Sequence, residues 1–371
     1  TWAELENGLP KGDIGRIGLA ISPARPDTVY AIVEAAGKDS GFYRSVDAGA
    51  SWEKRSEYVA GSPQYYNEII ADPVKVDRVY SMDTWMHVTE DGGRSFHKVG
   101  EATKHVDNHA LWIDPADTDY LLAGCDGGVY ETFDRGKTWA FMANLPVTQF
   151  YRATPDNDAP FYNVYGGTQD NATLGGPSRT ATVHGITNQD WFVTIFGDGY
   201  KTVIDPTDPD ILYSQYQYGG LARFDRRSGE LVDIQPQPAP GEDGSRWNWD
   251  SPVILSPHSH TRLYFASQRV YRSDDRGNSW KPVSGDLSSG VDRNKLKVMG
   301  RVWSVDAVAK NASTSFYGNI VALNESTLQE GLLYAGTDDG LVHVTEDGGE
   351  NWNRVDRIAG VPADTYVYDL E

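Results

Sequence analysis

The chain has a single cysteine, Cys125, in 371 residues. No disulfide can form within it, so oxidative cross-linking contributes nothing to its stability. Cys125 stands between Ala123-Gly124 and Asp126-Gly127-Gly128 and reads as a small, half-buried residue. No run of 18 or more apolar residues occurs, so no segment is predicted to cross a membrane as a helix. Basic residues are scarce: 33 Lys and Arg stand against 53 Asp and Glu, for a net charge of −20. That balance argues against nucleic acid or an anionic membrane surface as a partner. Amphipathic helical periodicity is missing too. The chain is rich instead in glycine (38), proline (19) and tyrosine (21), the composition of many short strands joined by tight turns.

One short pattern, Ser/Thr-x-Asp-x-Gly-x-x-Trp/Phe, occurs five times, as Ser45–Trp52, Thr89–Phe96, Thr132–Trp139, Ser273–Trp280 and Thr345–Trp352. Each copy follows a short β-type run. The hydroxyl and carboxylate accept bonds from amides further along, which folds a tight turn. The glycine takes a positive φ. The aromatic then packs back over the turn. The five aspartates are read as structural, because an active site needs one placement and not five equivalent ones.

The pattern resembles the Asp-box, or BNR repeat, of sialidases, sortilin-type receptors and xyloglucan-degrading glycosidases. The resemblance implies a hairpin turn on the outside of a β-propeller blade, away from the ligand face. It is shared by enzymes and non-enzymes. Together with Asp198-Gly199-Tyr200 and Tyr213–Gly220, the chain resembles exported bacterial BNR-repeat proteins of glycosidase-like or sortilin-like type. That resemblance implies an extracytoplasmic location: periplasmic, cell-surface or secreted.

A second recurring phrase, apolar-x-Pro followed by a turn and apolar-Tyr, precedes most copies, with Pro23, Pro73, Pro115, Pro206 and Pro257 as its markers. Spacings of about 40–50 residues suit four-stranded blades. The predicted fold is all-β: one seven-bladed β-propeller of four-stranded antiparallel blades over residues 1–371, with blades starting near 14, 66, 108, 149, 191, 250 and 301. Blade four is expected to use Thr180–Ile186 as its third strand, blade five to begin at Trp191, and blade seven at Arg301–Val308. Thr1–Trp2 matches the end of a sixth turn motif, so the chain is expected to be a segment of a longer protein. Either Thr1–Trp2 or Tyr366–Leu370 is expected to pair across the seam of the ring.

In such a fold, the loops leading into first strands and those between second and third strands share one face. They bring forward the carboxylates Asp107, Asp170, Asp198 and Asp250, and His109, Gln149, Gln169, Asn171, Tyr200, Trp249 and Arg301 as ligand contacts. Amides, carboxylates and aromatic rings suit a glycan or a peptide. Gly166–Arg179 departs most from the repeat, and its two readings are a functional loop and a long turn replacing an absent repeat. His105, Asp107 and His109 have the residue types of a metal site, with His184 as a fourth partner. The structural reading is preferred: no metal and no cofactor are expected.

Two functions follow. The first is a binding or scaffolding module for glycan or peptide, with a second propeller or other subunits as further candidate partners. The alternative is a glycoside hydrolase, xyloglucanase-like or sialidase-like, using two of Asp107, Asp170, Asp198 and Asp250. A sialidase would require an arginine triad, for which only Arg152, Arg179 and Arg301 offer themselves. The Phe/Tyr-Arg-Ile-Pro motif of that family is missing.

Overall fold

The computed structural model describes residues 5–145, 147–310, 316–355 and 358–370. Thr1–Trp2, matched above to a sixth turn, lies outside them. The chain divides into two compact units, Thr1–Val147 with Trp303–Ala312, and Thr148–Val302 with Ser313–Glu371. Among the described residues there are seven four-stranded antiparallel sheets and one two-stranded hairpin. Helix is confined to three short 3-10 turns.

The first unit holds sheets 1 to 3, whose first strands are Ile14–Ile21, Ile69–Ala71 and Asn108–Ile113. The second holds sheets 4 to 7, whose first strands are Arg152–Pro155, Thr202–Ile204, Val253–Leu255 and Ile320–Glu325. Strands follow one another in chain order within every sheet, so each sheet is a meander.

The core lies between sheets and not within them. Tyr30, Ile32 and Phe42 of sheet 1 pack on Ile69, Ala71 and Val79 of sheet 2. Val203, Tyr213 and Leu221 of sheet 5 pack on Val253, Leu263 and Phe265 of sheet 6. Within each unit, successive sheets such as these bury their faces against one another, the arrangement of a repeat protein.

The five repeated turns share one geometry. In Ser45–Trp52, Ser45 Oγ donates to Asp47 Oδ1 (2.7 Å) and accepts from the Gly49 amide (2.8 Å), while the Ser51 amide donates to Asp47 Oδ1 (2.8 Å). The glycine is required twice over. It has positive φ in every copy, 81° at Gly136 and 102° at Gly349. In every copy but that of Gly49 it also touches the preceding sheet or the segment that closes it: a Cβ at Gly136 would lie 2.3 Å from Val99 Cγ1, and one at Gly277 2.5 Å from Ile234 Cδ1. The tryptophans extend this staple. Trp139, Trp280 and Trp352 donate their indole N–H to the carbonyls of Gly100, Ile234 and Val283, in the segments that close the preceding sheets (2.8, 2.7 and 2.9 Å).

Three strand expectations are corrected. The third strand of sheet 4 is Thr173–Pro177, and 180–186 forms turns and bends. The β-type run after Trp191 does not open a sheet. Phe192–Ile195 pairs with Thr173–Pro177 as the fourth strand of sheet 4, and sheet 5 begins at Thr202. Alternating residues fit either place, and the ladder partner decides. Arg301-Val302 pairs with Lys297-Val298 across Met299 and Gly300, both at positive φ (52° and 85°), which is the signature of a two-residue hairpin. Sheet 7 begins instead at Ile320. In the C-terminal segment, the Val367 amide donates to the Thr337 carbonyl (3.1 Å) and Asn324 Nδ2 to the Leu370 carbonyl (2.9 Å), so Tyr366–Leu370 lies along sheet 7.

The turn hydrogen bonds hold Asp47, Asp134 and Asp347 at a pKa of about 2, below the ordinary 3.8, and lower that of Asp275. The main donor is the Ser51 hydroxyl for Asp47, the Thr138 amide for Asp134 and the Asn351 side chain for Asp347. A lowered carboxylate pKa stabilises the fold above the unfolded value and loses that effect as pH falls through the folded value. Thermal unfolding from about pH 5 down to about pH 2 is expected to show a falling Tm, with a shallower fall in Asp134→Asn. An unchanged slope in that variant would contradict the reading of the turns.

Candidate functional site

The side chains with site-like geometry in the second unit converge where sheets 4, 5 and 6 begin. Two loops build the centre. The turn after Gly167 closes through the Thr168 amide and the Ala172 carbonyl (3.0 Å), with Asp170 and Ala172 at positive φ. The loop leading into sheet 5 zips onto it: the Ala172 amide donates to the Gly197 carbonyl (3.1 Å) and the Gly199 amide to the Thr168 carbonyl (2.9 Å). Gly167 and Gly199 meet backbone to backbone, since a Cβ on Gly167 would lie 2.1 Å from the Gly199 carbonyl carbon. Small residues here allow the approach that brings Asp170 to Asp198: the Asp170 amide donates to Asp198 Oδ1 (2.9 Å). The Asp198 amide donates in turn to Gln217 Oε1 (2.9 Å).

Tyr200 lies at the centre of this cluster. Its ring is 2% exposed and stacks on Tyr151 at 5.0 Å, and Tyr151 donates to Gln169 Oε1 (2.7 Å). The Tyr200 hydroxyl is buried with no hydrogen-bond partner among the described residues. Burial raises its pKa, and the charges of Asp198, Asp250 and Asp170 raise it further. Asp250 accepts from Arg152 Nη2 (3.1 Å), a pair spanning 98 residues of sequence. Burial nevertheless pushes the Asp250 carboxyl above the ordinary carboxylate range, against the pull of Arg152 and Lys201. Arg152 also lies over the Tyr368 ring (5.6 Å). Beside the cluster is an aromatic group in which Trp249 meets Tyr218 edge-on at 4.8 Å, and Tyr218 lies 6.4 Å from Phe316.

Of the residues singled out by sequence, Gln169, Asp170, Asp198, Tyr200 and Asp250 join this cluster, with Trp249 in the aromatic group. Asn171 donates to the Gln169 carbonyl (2.9 Å), and Gln149 is exposed just ahead of sheet 4. Arg301 is exposed on the two-residue hairpin and does not lead into a first strand. Asp107 and His109 belong to the first unit. Asp107 accepts from the Tyr66 hydroxyl (2.5 Å), and His109 Nε2 lies 3.1 Å from Asp126 Oδ1 with Tyr66 stacked on its ring. The arginines are engaged apart: Arg152 with Asp250, and Arg179 over Phe161 (5.2 Å). Sequence reasoning missed Tyr151, Lys201, Phe316 and Tyr368 as neighbours of the site. The one local signal was the run of aromatic and basic residues at Tyr151-Arg152 and Tyr200-Lys201.

Among curated proteins, the chain is similar to xyloglucanase Xgh74A of Acetivibrio thermocellus, 23% identical over 330 residues, covering 72% of this chain and 38% of that protein. It is also similar to the oligoxyloglucan-reducing end-specific xyloglucanase of Emericella nidulans, 26% identical over 322 residues, covering 76% and 36%. The chain thus spans under two fifths of the length of these relatives. No family model matches. Among solved structures, the GH74 xyloglucanase of Xanthomonas campestris aligns with 94% of this chain and 54% of its own, at 18% identity and a TM-score of 0.35. YCF48 of Cyanidioschyzon merolae aligns with 89% and 94%, at 13% identity and a TM-score of 0.28. The chain is therefore a distant relative of xyloglucanases in sequence. No helix among the described residues is long and apolar enough to cross a membrane.

Because its folded-state pKa is raised, Asp250 favours the folded state at acid pH and costs stability as pH rises past the ordinary carboxylate value, the reverse of the turn aspartates. Replacing Arg152 with Met removes its nearest cation. Both side chains are about a third exposed (31% each), so the expected loss at neutral pH is about 1 kcal/mol by urea unfolding. Adding Asp250→Asn is expected to restore most of it. A double variant as unstable as the single one would show that the pair does not act as described.

Proposed function

We propose that the chain is a glycan-binding module, its seven sheets closing into one β-propeller, that acts outside the cytoplasm and seats a β-glucan-type chain on the Tyr200 cluster of the second unit. The observation that carries this reading is the orphaned Tyr200 hydroxyl. A buried polar atom without a partner costs about 1–3 kcal/mol, and a site built to receive a ligand hydroxyl is one reason to retain it. The surroundings suit a sugar. Asp198, Asp250 and Gln169 offer planar acceptors and donors, and Trp249 with Tyr218 offers faces for the C–H side of a pyranose ring. The similarity to xyloglucanases supports a decorated β-glucan as the ligand class.

Hydrolysis is the second reading, and one observation favours it. Asp250 has a raised proton affinity, Asp198 and Asp250 both act on the Tyr200 hydroxyl, and glycosidases use one carboxyl that keeps its proton and one that does not. In that case Asp250 is the acid and Asp198 the base or nucleophile.

The test is calorimetry with xyloglucan oligosaccharides, run beside a reducing-sugar assay. Tyr200→Phe is expected to stabilise the free protein by about 1 kcal/mol, because the unpaired hydroxyl is gone, and to weaken binding about fivefold to tenfold. Loss of stability with unchanged binding would overturn the assignment. Turnover by the wild type that disappears in Asp250→Asn while binding persists would move the protein to the hydrolase reading. Binding of peptides with no glycan binding would overturn both.

A further inference from the structure

The Tyr200 cluster stands where first strands begin. A cavity of about 370 Å³ lies where they end, within the second unit. Its lining includes Pro155, Ile204, Leu255 and Glu325, the last residues of the first strands of sheets 4, 5, 6 and 7. That volume is within the range of small-molecule sites, roughly 300–1,000 Å³. None of Asp170, Asp198, Tyr200 and Asp250 is on that lining.

Two carboxylates, Asp156 and Glu325, stand on the lining against one ammonium, Lys201. Asp156 is satisfied. It accepts from the Asn163 amide (2.7 Å), the Asn163 side chain (2.8 Å) and the Tyr165 hydroxyl (3.2 Å), with Arg226 at 3.8 Å. The charged groups that face the Lys201 ammonium, Arg152, Asp369 and Asp250, all lie off the lining. Glu325 is different. It is 3% exposed, its Oε1 accepts from the Gly331 amide (2.9 Å), and its Oε2 is buried with no hydrogen-bond partner among the described residues. The Tyr264 hydroxyl lies in the field of Glu325 but does not donate to it. Arg262 and Arg272, which act on that same hydroxyl, are held by Asp274 and Glu330. A buried carboxylate with one oxygen unmatched is costly, and a cation in the cavity relieves it.

We propose that this cavity binds a small primary alkylammonium ion, with Glu325 Oε2 as its anchor. The last torsion of a glutamate is soft, so Oε2 can turn to a donor in the cavity. Only one carboxylate oxygen is on offer, because Oε1 is held by Gly331. A guanidinium, which pairs through two parallel bonds, is therefore matched less well than an ammonium. Pro155, Ile204, Ile254 and Leu255 give the alkyl chain its apolar contacts. The net charge of −20 concentrates cations around the protein. The site does not depend on the glycan reading above.

The experiment is a ligand-observed NMR titration of the full chain, at neutral pH and fixed ionic strength, with n-butylammonium chloride, n-butanol and n-butylguanidinium chloride. Wild type is compared with Glu325→Gln, and with Glu325→Asp should the first variant not fold. n-Butylammonium is expected to bind with a Kd on the order of millimolar, the scale open to so small a ligand, and about tenfold more tightly than n-butanol. Glu325→Gln is expected to abolish that preference and to leave n-butanol unchanged. Glu325→Asp, whose carboxylate is drawn back by a methylene, is expected to reduce it. The Tm of Glu325→Gln is expected not to fall, since an uncompensated buried charge has become a neutral amide. Equal binding of the amine and the alcohol by the wild type, or an amine preference that survives in Glu325→Gln, overturns the site. Tighter binding of n-butylguanidinium than of n-butylammonium overturns the choice of cation. A fall in the Tm of Glu325→Gln, with no amine binding by the wild type, makes Glu325 a group of the fold alone and overturns the proposal.

Discussion

Within each unit, the sheets bury their apolar faces against one another and have little interior of their own. The repeated turn makes that contact specific. Its aspartate and hydroxyl fold the corner in all five copies; in four the glycine presses on the preceding sheet or the segment closing it, where a Cβ would clash, and in three a tryptophan reaches back to a carbonyl at that sheet's end. The same five aspartates that look catalytic in the sequence are consumed by this task. Their low proton affinity follows from local amides and hydroxyls, and not from any ligand. Once the corners are fixed, the opposite ends of the sheets are free to vary.

That division explains where chemistry gathers in the second unit. Gly167 and Gly199 let two loops touch through their backbones, and the touch brings Asp170, Asp198 and Tyr200 together. Arg152 and Asp250 then meet across 98 residues because both stand where a first strand begins. The resulting cluster mixes satisfied groups with one that is not. Asp198 and Gln169 have partners, whereas the Tyr200 hydroxyl is sealed away without one. Tyr213 and Tyr264 also bury a hydroxyl without a partner among the described residues, but the Tyr200 hydroxyl is the one that lies within the field of Asp198, Asp250 and Asp170.

Much of the architecture was legible because the repeat writes it in short range. The five turns and the Pro-marked corners stand where the spacing placed them. The errors fall where the repeated turn is absent. Phe192–Ile195 reads as well for a first strand as for a fourth, and only its pairing with Thr173–Pro177 decides. Arg301-Val302 looked like the start of a sheet because its residues favour strands, yet Met299-Gly300 fold it into a local hairpin. The site was half legible. Loop position named Asp170, Asp198, Tyr200 and Asp250, which the second unit brings near one another, together with Asp107, which lies in the first. It gave no hint that Arg152 would engage Asp250, that Lys201 would line a cavity, or that Tyr368 would lie beneath Arg152, because those contacts depend on the distance between strands and not on any motif.

The central claim is that ligand binding is read out at the Tyr200 cluster. Hydrogen–deuterium exchange with and without a saturating xyloglucan oligosaccharide tests it most directly. Slowed exchange is expected at 168–172, 196–201 and 247–250, with the repeated turns unchanged. Protection confined to the turns or to residues 105–109, or no protection anywhere, would contradict it.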